Sequence, residues 1–330
     1  MEYVMSFKTT RGLMRHLRKR NIPIQGSRQK CQLMNMGYFH GYKGYRFFGS
    51  TSRKIPFQNF DEVYQTVQYD SALKELLYGR IMLIETAIKN RAMERIMIHA
   101  GSERIDDILD RVISSYNNTS SSLPANTRQK VQQNKFELQK TIDQIILEGY
   151  RRKNPQITHF IHLNTQHGIP IWALFEIMTL GNFGKILSCL TQNVREDISK
   201  HLDMRTSMDT NREFVHRFIW LLKDLRNAVA HNLVVFDTRF SHTDVTNTMK
   251  TYLARESGLP HVRFDNIGDY IVLIAFFLNR LGVTKTENKR FLRSYVRLSS
   301  EYEAKVSSTV AHMVLPHGLR QRMRIMENHL

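Results

Sequence analysis

Near the end of a helical pattern, the stretch LKDLRNAVAHNLVV (Leu222–Val235) sets Arg226, Asn227 and His231 among leucines and alanines. On an ideal helix Asn227 and His231 are i, i+4 neighbours, whereas Arg226 and His231, five apart, diverge by about 140° at ~100° per residue. Arginine is long enough to reach round, so a guanidinium that stays charged and an imidazole that titrates can be aimed at a common space. A histidine with an unperturbed pKa of ~6.5 can move a proton to or from a 2′-hydroxyl or a leaving 5′-oxygen. The guanidinium would hold the phosphate between them and stabilise its extra charge as a bidentate donor, better than lysine does. Asn227 would orient the imidazole or bond the phosphate. That chemistry is RNA cleavage by transesterification, and the scheme calls on no metal and no cofactor. The plainer use of the same residues is to complement the helix dipole near its C-terminus.

Charge points to the same class of partner. The 330 residues carry a formal net charge of +18, an excess suited to a polyanion. The excess is concentrated: residues 1–54 hold twelve Lys and Arg against one acidic residue, Glu2. Within them Arg11, Arg15, Arg18, Lys19, Arg20, Lys43 and Arg46 are the candidates for phosphate contacts. The stretch GYFHGYKGYRFFG interleaves Tyr38, Tyr42 and Tyr45 with Lys43 and Arg46, which suits stacking on bases as well as burial in a core; its glycines suggest a compact loop or small β element.

The elements that must position these residues are helical. Apolar residues recur at helical spacing through most of the chain, and 42% of residues are hydrophobic, enough for a sizeable core. Thr9 or Thr10 can cap a short basic helix, and a second is expected near 28–37. The longest helical region runs from about 59 to 99, with Asn59 and Glu62 as a capping box and Asp70 as a point of restart. Further helices are expected near 103–115, 127–152, on both sides of Gly181–Gly184, over 211–231, and near 264–281, 285–305 and 318–328. NNTSSSLPANT reads as a surface loop. The fold class is therefore all-α. Boundaries near 58 and 240 divide the chain into a basic, aromatic N-terminal segment (1–58), a helical core (59–240) and a C-terminal helical extension (241–330).

Other signals are weaker. Cys31 and Cys189 fit neither a disulfide framework nor a zinc site, and a reducing, cytoplasmic setting is expected. IVLIAFFL, residues 271–278, is far shorter than the ~20 residues needed to span a bilayer, and the start lacks the apolar core of a signal peptide, so no membrane segment is expected. His159, His162 and His167 have no Cys or carboxylate nearby to complete a metal set. Lys289, Arg290, Arg293 and Arg297 form a basic helical face, and Glu85 with Lys89 forms an i, i+4 pair.

Against that background, LKDLRNAVAHN resembles the R-N-x-x-x-H signature of the HEPN superfamily. Four ordered blocks resemble its Abi-like abortive-infection branch in bacteria: LMRHLRKRNIPI with LMNMGYFHGYKGYRFF, then FDEVYQTVQYDSALKELLYGRIMLIETAIKNR, PIWALFEIMTLGNFGKIL, and LRNAVAHN. The likeness runs from about residue 9 to 236. It implies a HEPN-type helical bundle with a basic N-terminal extension, and a metal-independent endoribonuclease acting through Arg226, Asn227 and His231. It also implies a homodimer with a shared cleft, which would bring together groups that diverge on one helix, and RNA as the partner, whether substrate or regulatory non-coding RNA. Ala228, Val229 and Ala230 depart from relatives that carry a second polar residue in or beside the signature, leaving Asn227 as the only polar helper.

Overall fold

The computed structural model describes residues 8–117, 124–162 and 168–330. His167 and most of the polar loop NNTSSSLPANT lie outside the described residues. In chain order the α-helices are α1 (Thr10–Arg18), α2 (Gly26–Met36), α3 (Phe60–Ala100), α4 (Ile105–Val112), α5 (Ser114–Asn117), α6 (Ala125–Arg151), α7 (Pro155–His162), α8 (Ile171–Ile177), α9 (Leu180–Cys189), α10 (Gln192–His201), α11 (Phe214–Ala230), α12 (Asn247–Ser257), α13 (Ile267–Arg280), α14 (Lys285–Glu303), α15 (Ser308–Val314) and α16 (Leu319–His329). A π-helical turn, Gly37–Lys43, follows α2. Among the described residues only isolated bridges occur in place of a sheet, so the fold is all-α.

The chain forms two compact units. The first comprises residues 1–81, 225–242 and 250–330, and the second residues 82–224 and 243–249. Thus α3 gives its first half to one and its second half to the other, and α11 passes into the first unit at Leu225.

The first unit is organised on α13. Every residue from Ile271 to Leu278 is buried, and a helix that is apolar all round is stable in water only when covered on every side. It packs on α14 and α16. The first half of α3 is fastened to α14 by aromatic and hydroxyl contacts: Tyr69 stacks on Tyr302 at 4.6 Å, Thr66 and Tyr302 share a 2.8 Å hydrogen bond, and Tyr69 pairs with Ser299 at 3.2 Å. In the second unit α6 packs on α5, α7, α8 and α9. Gly149 permits this, since a Cβ there would lie 2.7 Å from Ile177 Cδ1 and 2.9 Å from Ile157 Cγ1.

Local signals in the sequence are met with shifts of a few residues. Thr9 caps α1 by accepting from the Gly12 N–H at 3.2 Å. Asn59 caps α3 at 3.0 Å, but Glu62 does not return the bond to the capping residue. It accepts instead from the Gln58 N–H at 2.6 Å and the Ser307 N–H at 2.8 Å. Helix α3 does not restart at Asp70; it is continuous, because that side chain is engaged by other parts of the first unit. The GYFHGYKGYRFFG stretch forms neither a plain loop nor a strand. It winds as a π-helix and ends in an isolated bridge between Phe47 and Lys54. The wide turn sets residue 41 against residue 36: a Cβ at Gly41 would sit 2.7 Å from Met36 Cγ and Cε, so any larger residue there would have to displace the Met36 side chain. The short helices α7, α10, α12 and α15 are additions that the periodicity does not signal.

Candidate functional site

The last turn of α11 carries the R-N-x-x-x-H residues. Ala228 and Val229 are buried, so the face that anchors the helix is continuous with Leu225. Arg226 and Asn227 are half-buried, and His231 is exposed. Arg226 Nη1 approaches Asn227 Oδ1 at 3.5 Å, at the long end for a hydrogen bond. His231 closes the helix: its N–H donates to the Asn227 carbonyl at 2.9 Å, the last bond of the i to i−4 series.

Beyond His231 the backbone reverses through Asn232, whose φ of 54° is left-handed. The Asn232 N–H donates to the Val229 carbonyl at 3.3 Å and the Leu233 N–H to the Ala228 carbonyl at 2.8 Å. This pair of bonds is the Schellman arrangement, with asparagine where glycine is commonest. The turn stops the helix at the histidine and leaves its imidazole at the rim of the element.

The turn is held from behind by charge. Asp70 on α3 is fully buried, and its Oδ1 accepts from the Val235 and Phe236 N–H groups at 2.9 and 2.8 Å. Its Oδ2 accepts from the Tyr45 hydroxyl at 2.7 Å and pairs with Lys74 Nζ at 2.8 Å. Lys74 Nζ also donates to Asn232 Oδ1 at 2.8 Å. Burial first, and then the neighbouring Asp70 carboxylate and its hydrogen bond, push the Tyr45 hydroxyl far above the usual tyrosine range, so it stays a donor. Arg239 extends the clamp: Nη1 donates to the Gly44 carbonyl at 2.8 Å, Nη2 to the Phe47 carbonyl at 2.6 Å, and Nε to Asp237 at 2.8 to 2.9 Å. The residue after His231 is thus fixed by a buried ion pair one helix away. Sequence reasoning missed Lys74 and Asn232 and assigned Asp70 another task. The signal was present in an Asp and a Lys at i, i+4 on the apolar stripe of Leu73, Leu77 and Ile81, where an unmatched charge would be costly.

The basic N-terminal candidates divide by environment. Arg11, Arg15, Arg18, Lys19, Arg20 and Lys43 are exposed, and Arg18 Nε also donates to the Ile24 carbonyl at 2.8 Å. Arg46 is half-buried and lies on the Phe47 ring, its guanidinium carbon 4.2 Å from the centroid. His16 reports that several of these cations converge: partial burial, and then the fields of Arg20, Lys8, Lys43 and Lys19, lower its pKa below 6.5. Tyr42 and Tyr45, two of the stacking candidates, are buried in the core, while Tyr38 is half-buried. Among the weaker candidates, Glu85 and Lys89 pair at 2.9 Å on the second unit's part of α3, and Arg80 donates to the Leu76 carbonyl at 3.0 Å and lies over Phe291. Among the described residues no helix is long and apolar enough to cross a membrane.

An all-α chain whose Arg-Asn-x-x-x-His turn ends a helix and is braced from a second helix defines a class by its architecture. The family follows from comparison: the model of the Abi-like proteins matches residues 32–237, more than half of the chain, and the protein belongs to that family. Its membership gives it a role in bacterial abortive-infection defence. The match includes Asp70, Lys74, Arg226, Asn227 and His231, and excludes α1 and the helices from α12 onward. No curated protein and no solved structure matches the chain.

Proposed function

We propose that this Abi-like protein is a HEPN-type endoribonuclease that binds RNA through its basic N-terminal segment and cleaves it without a metal, in the reducing bacterial cytoplasm. The observation that carries the reading is the exposed His231 at a braced helix end, one turn beyond the paired Arg226 and Asn227. In the reaction the imidazole removes the proton of the 2′-hydroxyl, and the alkoxide attacks the adjacent phosphorus. Arg226 holds the non-bridging oxygens as charge accumulates on them, and Asn227 orients the neighbouring groups. The P–O5′ bond breaks and the 5′-oxygen takes a proton, leaving a 2′,3′-cyclic phosphate and a 5′-hydroxyl. A single imidazole has to serve as base and then acid, whereas two copies of α11 meeting end to end supply one histidine for each step. A homodimer is therefore part of the proposal.

The test is purified protein with total RNA in the presence of a chelator, wild type beside His231→Ala, with product ends identified and the mass in solution measured. Cyclic-phosphate ends from the wild type alone support the reading. Equal cleavage by the variant, or loss of cleavage on chelation, sinks it. The density of unmatched surface cations in the N-terminal segment favours one second reading, a binding module that has no cleavage step. That version gives salt-sensitive RNA affinity and no product.

A further inference from the structure

We propose that the π-helical turn Gly37–Lys43 is a base-stacking platform, and that the RNA this protein takes is single-stranded where it meets the N-terminal segment. The inference rests on the RNA reading above and adds the substrate class. Its centre is Phe39, 73% exposed in a stretch whose other Phe and Tyr residues are at least half covered. The ring is braced edge-on by Tyr38 at 5.5 Å between centroids, and Tyr38 is in turn supported by Tyr42 at 5.6 Å and His16 at 5.9 Å. Such support holds the exposed ring in place before a ligand arrives.

Charge decides between the uses open to such a ring. Lys43 Nζ lies 4.5 Å from the Phe39 centroid and 5.6 Å from that of Tyr38. The cations that act on His16 (Arg20, Lys8, Lys43 and Lys19) surround the same cluster, and Arg20 and Arg46 act on Tyr38. From residue 3 to residue 60 there is no Asp or Glu, so no acidic residue of the segment itself offsets them. An exposed aromatic ring for a protein partner would ordinarily be framed by apolar or mixed-charge surface. An exposed ring with a lysine over it, and with further cations acting on the side chains that support it, fits a polyanion whose repeating unit also has a flat π-face, which describes an unpaired nucleotide. A duplex does not qualify, because its bases are stacked on each other and offer a protein mainly phosphate and 2′-hydroxyl. The π-turn provides the geometry: five residues per hydrogen-bonded step widen the helix, so that Tyr42 turns into the core while Phe39 and Lys43, i and i+4, remain outside.

The test uses the full chain carrying His231→Ala, so that RNA survives, with three fluorescent probes of equal length: a 12-nucleotide mixed-sequence RNA single strand, the same strand annealed to its complement, and an abasic strand with the same number of phosphates. Phe39→Ala is expected to weaken binding of the single strand about ten-fold and to leave the duplex and abasic strands within about two-fold, since stacking acts on bases alone. Phe39→Trp is expected to retain affinity and to show quenched emission when the single strand is added. The exposure of Phe39 leaves the core untouched in either variant, and circular dichroism checks that each is folded. Unchanged single-strand affinity in Phe39→Ala, or an equal loss for all three probes, overturns the platform while leaving RNA binding intact. If the parent chain binds none of the probes, the RNA reading itself fails and the surface belongs to another class of partner.

Discussion

Two sets of charges in the first unit are used in opposite ways. Around Asp70 each charged group is buried and matched: the carboxylate has Lys74, the Tyr45 hydroxyl and two backbone amides, and the ammonium has Asp70 and Asn232. Around Phe39 the cations Lys8, Lys19, Arg20 and Lys43 are exposed, and after partial burial it is their fields that lower the pKa of His16. The first set has no capacity left for a ligand, and its product is geometry: it fixes where the chain goes after His231. The second set contributes little to holding the fold and retains nearly all its capacity for a partner. A high positive charge is therefore informative only after the matched groups have been set aside.

The contrast can be broken most decisively at the helix end. Arg226→Ala or His231→Ala is expected to lower cleavage by roughly 10²- to 10⁴-fold with melting temperature and RNA affinity retained. A fall in all three together would make these residues structural. Next in size is the buried pair. Asp70→Ala strands the Lys74 ammonium and two amides, and is expected to cost about 3–5 kcal/mol by urea denaturation; a loss below about 1 kcal/mol would mean that the network is dispensable. Asn232→Gly, by contrast, keeps the left-handed turn and removes only the tie to Lys74. Reduced cleavage at near-normal stability would identify that tie as a positioning contact.

Two half-buried histidines, one in each unit, sharpen the comparison. Burial lowers the pKa of His216, in the second unit, to about 4. It is neutral in the fold, while its unfolded pKa is ~6.5, so the unfolded chain binds more protons between those values. Its contribution is complete above about pH 6.5 and is lost as pH falls toward 4, on the order of 3 kcal/mol in all. Denaturation profiles from pH 7.5 to 4 should show this loss, diminished in His216→Gln. Smaller effects belong to the exposed face. Exchange of Lys19, Arg20 or Lys43 for Gln is expected to change stability by no more than about 0.5 kcal/mol, and to reduce the slope of log affinity against log salt by about 0.7 for each phosphate that is no longer neutralised. Smallest is the shift of His16 itself. Burial lowers its pKa first and the neighbouring cations add to that; a bound polyanion offsets only the cations' part, so its pKa, followed by NMR titration, should rise on binding and RNA affinity should increase as pH falls through it. An unchanged His16 would place the RNA elsewhere.

Taken alone, the sequence determined the all-α class, most long helices, the capping of α1 by Thr9 or Thr10, the block of cations ahead of Asp61, and the Arg-Asn-x-x-x-His spacing. These are carried by neighbours a few residues apart, through helical periodicity, capping chemistry and charge count. Only the tertiary structure decided that Asp70 braces residues 232–236 and that Tyr42 and Tyr45 are core while Phe39 is surface. It likewise decided that α3 runs unbroken through two compact units. Each of these depends on groups distant in sequence, and a buried charge or an exposed ring is defined by what surrounds it. Local pattern could propose a chemistry for His231; the long-range pairing of Lys74 with Asn232 shows what holds it in place.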